Sequence, residues 1–402
     1  MTDVAWLRTP AAIRARCRVL YDAGVAGKLD WLAVDPSKLD RVAAYVEQVT
    51  RANYPDLQIP YHSRWRHFGT IDPRPILRRG WRGAAAPGEG NGAPARHAAR
   101  ATLSPFRGEG LELARTAADL AAVSVLLDAG AGDRWRYRDA ATGETLARSE
   151  GLAVASLRMF EAGGLSSLET LTVEQLANGF QVDSDNPLVG LEARVKLLNR
   201  FGAALRARPD LFGTPPRFGN LIDALVGPQV ALPRVLTALL EALAPIWPSG
   251  LVVDGVNLGD VAEHPLAGLV PFHKLTQWMT YSLIEPFEWV GAEVTELDGL
   301  TGLPEYRNGG LFIDLGVLTP RRQLDAPLQP RHPLVVEWRA CTVILLDLLA
   351  VKLRARLGLD AQRLPLARLL QGGTWTAGRK IARELRPDGR PPIAVDTDGT
   401  TF

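Results

Sequence analysis

Glu305 and Arg307 lie in a short segment of unusual composition, LPEYRNGG, between two apolar stretches. A proline before the acid and two glycines after it restrict or punctuate the backbone around them. A carboxylate fixed in this way needs little reorganisation, so Glu305 could stabilise a developing cation or position a water molecule. Arg307 could orient that carboxylate or hold substrate oxygens, and Tyr306 between them is a further candidate for substrate binding. A tight turn with an ion pair explains the same residues without chemistry.

A second group of polar residues occurs in PFHKLTQW, where an aromatic-rich helix is predicted to begin. On a helix His273 and Gln277 share one face, and Lys274 and Trp278 share the adjoining face, because residues four apart are neighbours. Lys274 or His273 could donate a proton to a leaving group, while Gln277 and Trp278 could contact the ligand. An aromatic wall beside hydrogen-bond donors is typical of sites for planar or sugar-like ligands. Alternatively, the apolar residues are core and the polar groups are merely solvated.

A third group, IPYHSRWRHF, interleaves His62, Arg64 and Arg66 with aromatic residues. If the segment is extended, the two arginines point the same way. Two arginines and a histidine suit a phosphate, since guanidinium groups pair with phosphate oxygens in a bidentate manner. A surface cluster that pairs with acids elsewhere is the alternative.

The composition excludes several classes of function. The 402 residues carry a formal net charge of +2, with 47% hydrophobic and 22% charged residues, as in a globular protein without a field that attracts nucleic acid or a membrane. No apolar run is long enough to span a bilayer, and the N-terminus does not resemble a signal peptide, so we expect a cytoplasmic protein. GxGxxG, P-loop, HExxH and GxSxG motifs are absent, and six scattered histidines with two cysteines indicate no metal site. We therefore expect no cofactor and no metal. Cys17 and Cys341 lie in apolar helical patterns, which predicts buried free thiols.

The hydrophobic periodicity predicts a mainly α fold with a few short strands, without the alternating pattern of a doubly wound sheet. Residues 133–151 alternate aromatic and charged side chains around a Thr-Gly turn, which predicts a hairpin. The tail can hold at most one short strand. The predicted helices cover residues 10–22, 38–53, 108–129, 150–162, 172–180, 189–207, 217–226, 233–246, 271–289 with a break near Pro286, and 333–356.

The chain is predicted to have four parts. Residues 1–79 form an N-terminal helical segment with the basic-aromatic motif, and residues 80–100, rich in Gly, Ala and Pro, form a flexible loop. Residues 101–385 form the main helical domain, and residues 386–402 form a tail.

Several long segments resemble a uracil-catabolism family of fungi and bacteria, which is associated with the ring-opening uracil pathway and often labelled as a domain of unknown function. The resemblance runs from about residue 10 to the C-terminus. The segments that carry it are IPYHSRWRHF, FRGEG, RSEGLAVASLRMFEAGGLSS, DNPLVGLEARVKLLNRFG, IWPSG, PFHKLTQWMTYSLIEPFEW and LDGLTGLPEYRNGGLFIDLGVL.

The order LTVEQL, DNPLVGLEARVKLLNRFG, PFHKLTQW, LPEYRNGG and EWRA is similar to that of the queuosine-phosphate N-glycosylases. The similarity implies a helical fold related to DNA glycosylases and hydrolysis of a base–ribose bond. An Asp-Tyr-Arg segment supplies the catalytic carboxylate in that family, and the matching residues here are Glu305, Tyr306 and Arg307. The change from Asp to Glu lengthens the arm by one methylene. The family's Lys-Arg after an aromatic residue corresponds to His273 and Lys274.

Together these features predict a hydrolase of uracil catabolism that cleaves the N-glycosidic bond of a ribosyl or phosphoribosyl urea-type intermediate. The expected substrate is a small molecule derived from a nucleoside or nucleotide, and association with other enzymes of uracil catabolism is an expectation from the resemblance. A non-catalytic ligand-binding or scaffold protein of the same pathway is the alternative from another class. A nucleic-acid glycosylase is disfavoured by the nearly neutral charge.

Overall fold

The computed structural model describes residues 3–78, 109–248, 250–324 and 326–396, which form two compact units. The first unit comprises the described residues within 1–66, 231–282 and 294–402, and the second comprises those within 67–230 and 283–293. The chain therefore leaves the first unit twice and returns to it twice. These boundaries differ from the predicted four parts, and the 80–100 segment lies outside the described residues.

The described chain is mainly α, as predicted. Its α-helices are α1 Val4–Leu7, α2 Pro10–Val25, α3 Leu39–Asn53, α4 Arg74–Leu77, α5 Glu109–Leu126, α6 Arg148–Glu161, α7 Val173–Gly179, α8 Leu191–Ala207, α9 Pro209–Phe212, α10 Leu221–Leu225, α11 Leu232–Ala242, α12 Lys274–Ser282, α13 Ile284–Trp289, α14 Tyr306–Asp314, α15 Pro333–Leu357, α16 Leu366–Leu369 and α17 Trp375–Leu385. Short 3₁₀ helices cover Pro36–Lys38, Arg64–His67, Leu168–Thr170, Phe218–Asn220, Ala244–Ile246 and Leu297–Gly299, and Leu370–Thr374 is a π-helical turn.

The strands are short and form two-stranded sheets, and four pairs among the described residues are antiparallel. In the first unit β1 pairs with β10, β5 with β6, and β7 with β8; in the second unit β2 pairs with β3, which is the predicted hairpin. Their bounds are β1 Leu32–Val34, β2 Tyr137–Arg138, β3 Thr145–Leu146, β4 Gln229–Ala231, β5 Val252–Val253, β6 Val256–Asn257, β7 Val261–His264, β8 Gly268–Pro271, β9 Glu293–Thr295 and β10 Leu318–Pro320.

Helix α15 is the core element of the first unit. It is apolar on almost every side, which is typical of a helix surrounded by other elements. The side chain of His332 accepts a hydrogen bond from the N–H of Leu334 at its start, and Gly358 ends it in the left-handed region at φ 68°. Helices α2, α3 and α14 pack against it. Cys17 and Cys341, on α2 and α15, are buried free thiols, as predicted.

Helix α5 is the corresponding element of the second unit and packs against α6, α8 and α13. The predicted start of α7 is confirmed, because the Thr172 side chain accepts from the N–H of Gln175 while the Gln175 side chain accepts from the N–H of Thr172.

Two predicted segments differ from the structure. The helix over 271–289 breaks at Leu283 rather than near Pro286, because a proline in the first turn of α13 needs no N–H partner. The 301–310 segment is not a simple turn, since α14 begins at Tyr306 and contains both Gly309 and Gly310. A Cβ on Gly309 would lie 2.5 Å from Trp338 Nε1, so this glycine permits close packing of α14 on α15.

No helix in the described parts of the chain combines the length and the apolar character needed to cross a membrane.

Candidate active site

Glu305 is the N-terminal cap of α14. Its Oε1 accepts a hydrogen bond from the N–H of Asn308 at 2.6 Å, and its Oε2 accepts one from the N–H of Arg307 at 2.8 Å. The Asn308 side chain donates in turn to the carbonyl oxygen of Leu303 at 3.0 Å, which holds the entry to the helix. The side chain of Glu305 is half-buried. The acid is therefore held rigidly, with one lone-pair position on each oxygen left for other partners.

The surroundings of Glu305 act on its proton affinity in opposite directions. Burial raises the pKa of its carboxyl group above the ordinary 4.5, while the positive charges of Arg307 and Lys274 and the two backbone hydrogen bonds lower it; burial is the larger effect. A carboxylate with a raised pKa accepts a proton from water more readily than an exposed one. The charge of Lys274 thus acts on the carboxyl group of Glu305, although the two residues are 31 positions apart in the sequence.

Lys274 is the first residue of α12 and is half-buried. Its backbone N–H donates to Asp260 Oδ2 at 3.0 Å, which fixes the start of the helix. His273 precedes it with φ 48°, a left-handed conformation that is uncommon for histidine. The Nε2 of His273 lies 2.9 Å from the carbonyl oxygen of Leu7, and burial lowers the pKa of this histidine. A mostly neutral imidazole whose Nε2 faces a backbone carbonyl is a poorer proton donor than Lys274.

Gln277 has internal partners for its whole amide group. Its Nε2 donates to the Phe272 carbonyl oxygen at 3.0 Å and to Thr301 Oγ1 at 2.8 Å, and its Oε1 accepts from the N–H of Thr301 at 2.8 Å. Gln277 thus ties α12 to the segment that leads to Glu305. Its predicted contact with a ligand remains a prediction.

Three rings, those of His62, Trp278 and Trp375, form what we call the aromatic cluster. The His62 ring stacks on Trp278 with centroids 6.2 Å apart and lies 5.7 Å from the ring of Trp375. The guanidinium of Arg307 lies 4.2 Å from the Trp375 centroid, and that of Arg64 lies 5.5 Å from the Trp278 centroid. Cations at these distances are attracted by the ring faces. The three predicted polar groups, which are far apart in sequence, therefore meet in the first unit.

His62 is a neutral member of this cluster. Its Nδ1 lies 2.9 Å from Gln371 Oε1. Burial, with a smaller contribution from the charge of Arg307, lowers the pKa of His62 from 6.5 to about 4. At neutral pH it therefore contributes an uncharged flat surface and a hydrogen-bonding nitrogen.

The two arginines of the basic-aromatic segment differ in position. Residues Arg64–His67 form a 3₁₀ helix rather than an extended strand, so alternate side chains do not share a side. Arg64 is fully buried, and its N–H donates to Ser282 Oγ at 2.9 Å, whereas Arg66 is exposed. Arg64 thus lies against the aromatic cluster, whereas Arg66 does not point the same way, and the phosphate contact predicted for both arginines remains a prediction.

Sequence reasoning missed the contribution of residues 371–378. Gln371 lies in the π-helical turn before α17, and Trp375 is the first residue of α17. A π-helical turn often marks a functional position, but it has no reliable sequence signal. The adjacent glycines before Trp375 were a weak sequence signal, whereas the role of Gly378, where a Cβ would overlap the carbonyl of Arg307, is seen only in the structure.

A cavity of about 350 Å³ in the second unit contains none of the predicted site residues. Asp119 and Arg217 in its wall are already paired, with Arg217 Nε donating to Asp119 Oδ2 at 2.6 Å, and the N–H of Gly219 donates to Asp119 Oδ1 at 2.7 Å. Its shape alone therefore assigns no chemistry. Within the described ranges no group of three or more His, Cys, Asp or Glu residues is placed to hold a metal ion.

Comparison with known proteins agrees with the resemblance seen in the motifs. A family model described as "Protein of unknown function (DUF1688)" matches residues 6–402. The chain belongs to the DUF1688 family. It is 39% identical to Protein urg3 of Schizosaccharomyces pombe and 34% identical to Uracil catabolism protein 4 of Lachancea kluyveri, and each alignment covers 99% of both chains.

These relatives confirm the predicted resemblance to a uracil-catabolism family of unknown activity, because the name of the second assigns that protein to uracil catabolism. The similarity to queuosine-phosphate N-glycosylases and the DNA-glycosylase-like fold remain predictions.

Proposed function

We propose that this protein acts in uracil catabolism as an N-glycoside hydrolase on a ribosyl or phosphoribosyl urea-type compound. The name of its relative supports the pathway. The reaction class is supported by a half-buried carboxylate, Glu305, on which the charge of Lys274 acts. The segments that carry these two residues also carry Arg307 and Trp278, whose side chains lie at the aromatic cluster. A base, a proton donor and a flat apolar surface are what hydrolysis of a C1′–N bond requires.

In the proposed reaction a water molecule attacks C1′ of the ribose while the C1′–N bond breaks. Glu305 accepts the proton of the water, and its negative charge faces the oxocarbenium character that develops on the sugar. The departing urea nitrogen keeps the electron pair of the broken bond and takes a proton from the Lys274 ammonium group. The products are a free sugar and urea, and proton exchange with solvent restores both side chains.

The electrostatic contribution of Glu305 is large enough to matter. A carboxylate about 4 Å from a unit positive charge gains roughly 4 kcal/mol at an effective dielectric near 20. That gain corresponds to about a thousandfold in rate. Proton donation by Lys274 adds about 10²–10⁴-fold.

The aromatic cluster and its arginines are the proposed binding surface. Trp375 is the half-buried ring of the cluster and is proposed to contact the planar urea group or the apolar side of the ribose, whereas His62 and Trp278 are buried. Arg307 and Arg64 bring positive charge to these faces, which suits a 5′-phosphate. With a net charge of only +2 we propose a small-molecule substrate rather than a nucleic acid.

The test is to incubate the purified protein with ribosylurea and, separately, with ribosylurea 5′-phosphate, and to measure urea. The variant Glu305→Gln is expected to lose turnover by roughly a thousandfold, because the charge that faces the transition state is removed.

Because Glu305 also caps α14, matched variants are needed to separate its two roles. Glu305→Asp and Glu305→Asn both place good capping residues at the position, and they differ in charge. We expect the Asp variant to retain measurable turnover and the Asn variant to retain only the fold. Equal turnover by these two variants, or urea release by Glu305→Gln at the rate of the unmodified protein, would exclude Glu305 as the catalytic carboxylate.

One observation favours the alternative, a non-catalytic ligand-binding protein of the same pathway. Both oxygens of Glu305 already accept backbone hydrogen bonds, which is a complete structural role for this side chain. A binding protein would show a thermal shift with ribosylurea or its phosphate but release no urea. Urea release that depends on enzyme concentration would exclude it.

A further inference from the structure

A buried ion pair joins the two segments that carry Lys274 and Glu305. Arg339 on α15 donates to Asp260 in a bidentate manner, Nη1 to Oδ1 and Nη2 to Oδ2, both at 2.8 Å. The exposed fractions of the two side chains are 5% and 12%. Neither residue belongs to the predicted site, and the proposed reaction uses neither as acid, base or ligand.

Asp260 holds three consecutive residues at the start of α12. Its carbonyl oxygen accepts from the N–H of Phe272 at 2.9 Å and of His273 at 3.3 Å, and its Oδ2 accepts from the N–H of Lys274 at 3.0 Å. The strained φ of 48° at His273 lies in the middle of this set. Such a conformation persists only where the surroundings over-determine it. Asp260 therefore sets the direction in which the Lys274 side chain leaves the backbone.

Arg339 contacts both segments. Its guanidinium lies 4.0 Å from the centroid of the Phe272 ring, and its Nε lies 3.4 Å from the carbonyl oxygen of Pro304, the residue before Glu305. Because Arg339 lies on the long buried helix α15, its position is fixed. It therefore holds the segment that carries Lys274 and the segment that carries Glu305 relative to the same helix.

We propose that Asp260 and Arg339 are positioning residues that set the separation of the Lys274 ammonium group and the Glu305 carboxylate. The inference rests on the proposed function for its catalytic meaning. A role in stability alone is a weaker explanation, because a buried ion pair often contributes little net stability compared with apolar residues. The pair is placed where a small shift moves the two reacting groups relative to each other.

The kinetic test uses Arg339→Lys, which keeps the positive charge but cannot form the bidentate fork. We expect kcat to fall roughly tenfold to a hundredfold, as for a displacement of about 1 Å in a catalytic group. KM should change by less than about threefold, since the aromatic cluster is not altered. Arg386→Lys is the matched control, because Arg386 also pairs in a bidentate manner, with Asp314 at the other end of α14. The control is expected to keep its kcat.

A second measurement does not depend on activity. The carboxyl group of Glu305 is titrated by ¹³C NMR and assigned by its loss in Glu305→Gln. In the unmodified protein Lys274→Met should raise the pKa of Glu305, since a nearby positive charge is removed. In the Arg339→Lys background the same substitution should produce less than half of that rise, because Lys274 no longer lies at its set distance. If Arg339→Lys does not fold, Asp260→Asn replaces it, since the amide keeps the size of the side chain.

An equal rise in both backgrounds, or an equal fall in kcat in Arg386→Lys, would overturn the positioning role. Failure of the proposed function has a different result: the unmodified protein releases no urea, while the titration still reports whether the pair sets the distance between Lys274 and Glu305.

Discussion

Glu305 has a structural role in the fold, and in the proposed reaction the same side chain is the base. Its two oxygens satisfy N–H groups at the start of α14, and these bonds hold the carboxylate without the entropy loss that a mobile glutamate would incur on binding. The same bonds favour the charged form, whereas burial favours the neutral form. In the proposed reaction this carboxyl group is the base and Lys274, whose charge acts on it, is the proton donor.

His62 gives a prediction at the same scale. Its pKa is lowered to about 4 in the folded protein, so the unfolded chain binds the proton more readily between about pH 4 and 6.5. Stability that is complete above pH 6.5 is therefore lost as pH falls toward 4. His62→Asn cannot take up a proton at this position. We therefore expect its free energy of unfolding to fall by roughly 2–3 kcal/mol less than that of the unmodified protein over this pH range.

The measurement is the urea midpoint of unfolding of both proteins at pH 7 and pH 4.5. The variant is expected to be the less stable protein at pH 7, because it loses the ring contacts of His62 with Trp278 and Trp375. Other titrating groups are common to both proteins and cancel in the comparison. Parallel losses of stability on acidification would show that His62 is not the group responsible.

At the scale of elements, the site depends on how closely α14 approaches α15 and α17. Gly309 lies against Trp338 on α15, and Gly378 on α17 lies against the backbone of Arg307. These contacts bring Trp375 and Arg307 together across two helices. A larger residue at either glycine would separate the helices, and this would move the proposed binding surface away from Glu305.

Gly378→Ala tests this packing. A Cβ there would overlap the carbonyl of Arg307, so we expect a loss of about 1–3 kcal/mol in stability from overpacking. Gly310→Ala is the control on α14, because its Cβ would meet Pro392 Cδ at 3.1 Å, where a small adjustment suffices, and alanine favours a helix over glycine by about 1 kcal/mol. Thermal unfolding of both variants is the measurement. Equal stability of the two would contradict the close approach of α14 and α17.

At the scale of the whole molecule, the candidate site lies within one of the two compact units. Its residues come from four segments, residues 61–66, 260–278, 301–308 and 371–378, which are spread over residues 61–378 of the chain. The second unit has its own core around α5 and its own cavity. Ligand binding at the candidate site should therefore stabilise the folding of residues that are far apart in the chain.

This gives a prediction for the intact protein. Ribosylurea 5′-phosphate should stabilise the capped but inactive Glu305→Asn variant, by about 2.7 kcal/mol at a concentration one hundred times Kd. Trp375→Ala, which lacks one face of the aromatic cluster, should lose most of this effect. Differential scanning fluorimetry measures both, and duplex DNA at low salt should produce no shift. Stabilisation by DNA would contradict a small-molecule substrate. Full stabilisation of Trp375→Ala would show that the ligand binds outside the aromatic cluster.

The sequence by itself determined the mainly α class, the positions of most long helices and the identity of the polar groups. Periodicity and capping are local properties, so α2, α3, α7, α8 and α15 follow from neighbouring residues. It also indicated Glu305, Lys274 and Arg307, because such residue types beside glycine, proline and aromatic residues are uncommon.

Only the tertiary structure decided which of these groups meet. The contact of His62 with Trp375 and the pairing of Asp260 with Arg339 join residues that are 313 and 79 positions apart, and no local pattern encodes such a distance. The helix at 306–314 was also missed, because Gly309 and Gly310 lower local helix propensity and are offset by packing on α15 and α17. Long-range packing, which depends on all the elements at once, turned separate polar segments into one candidate site.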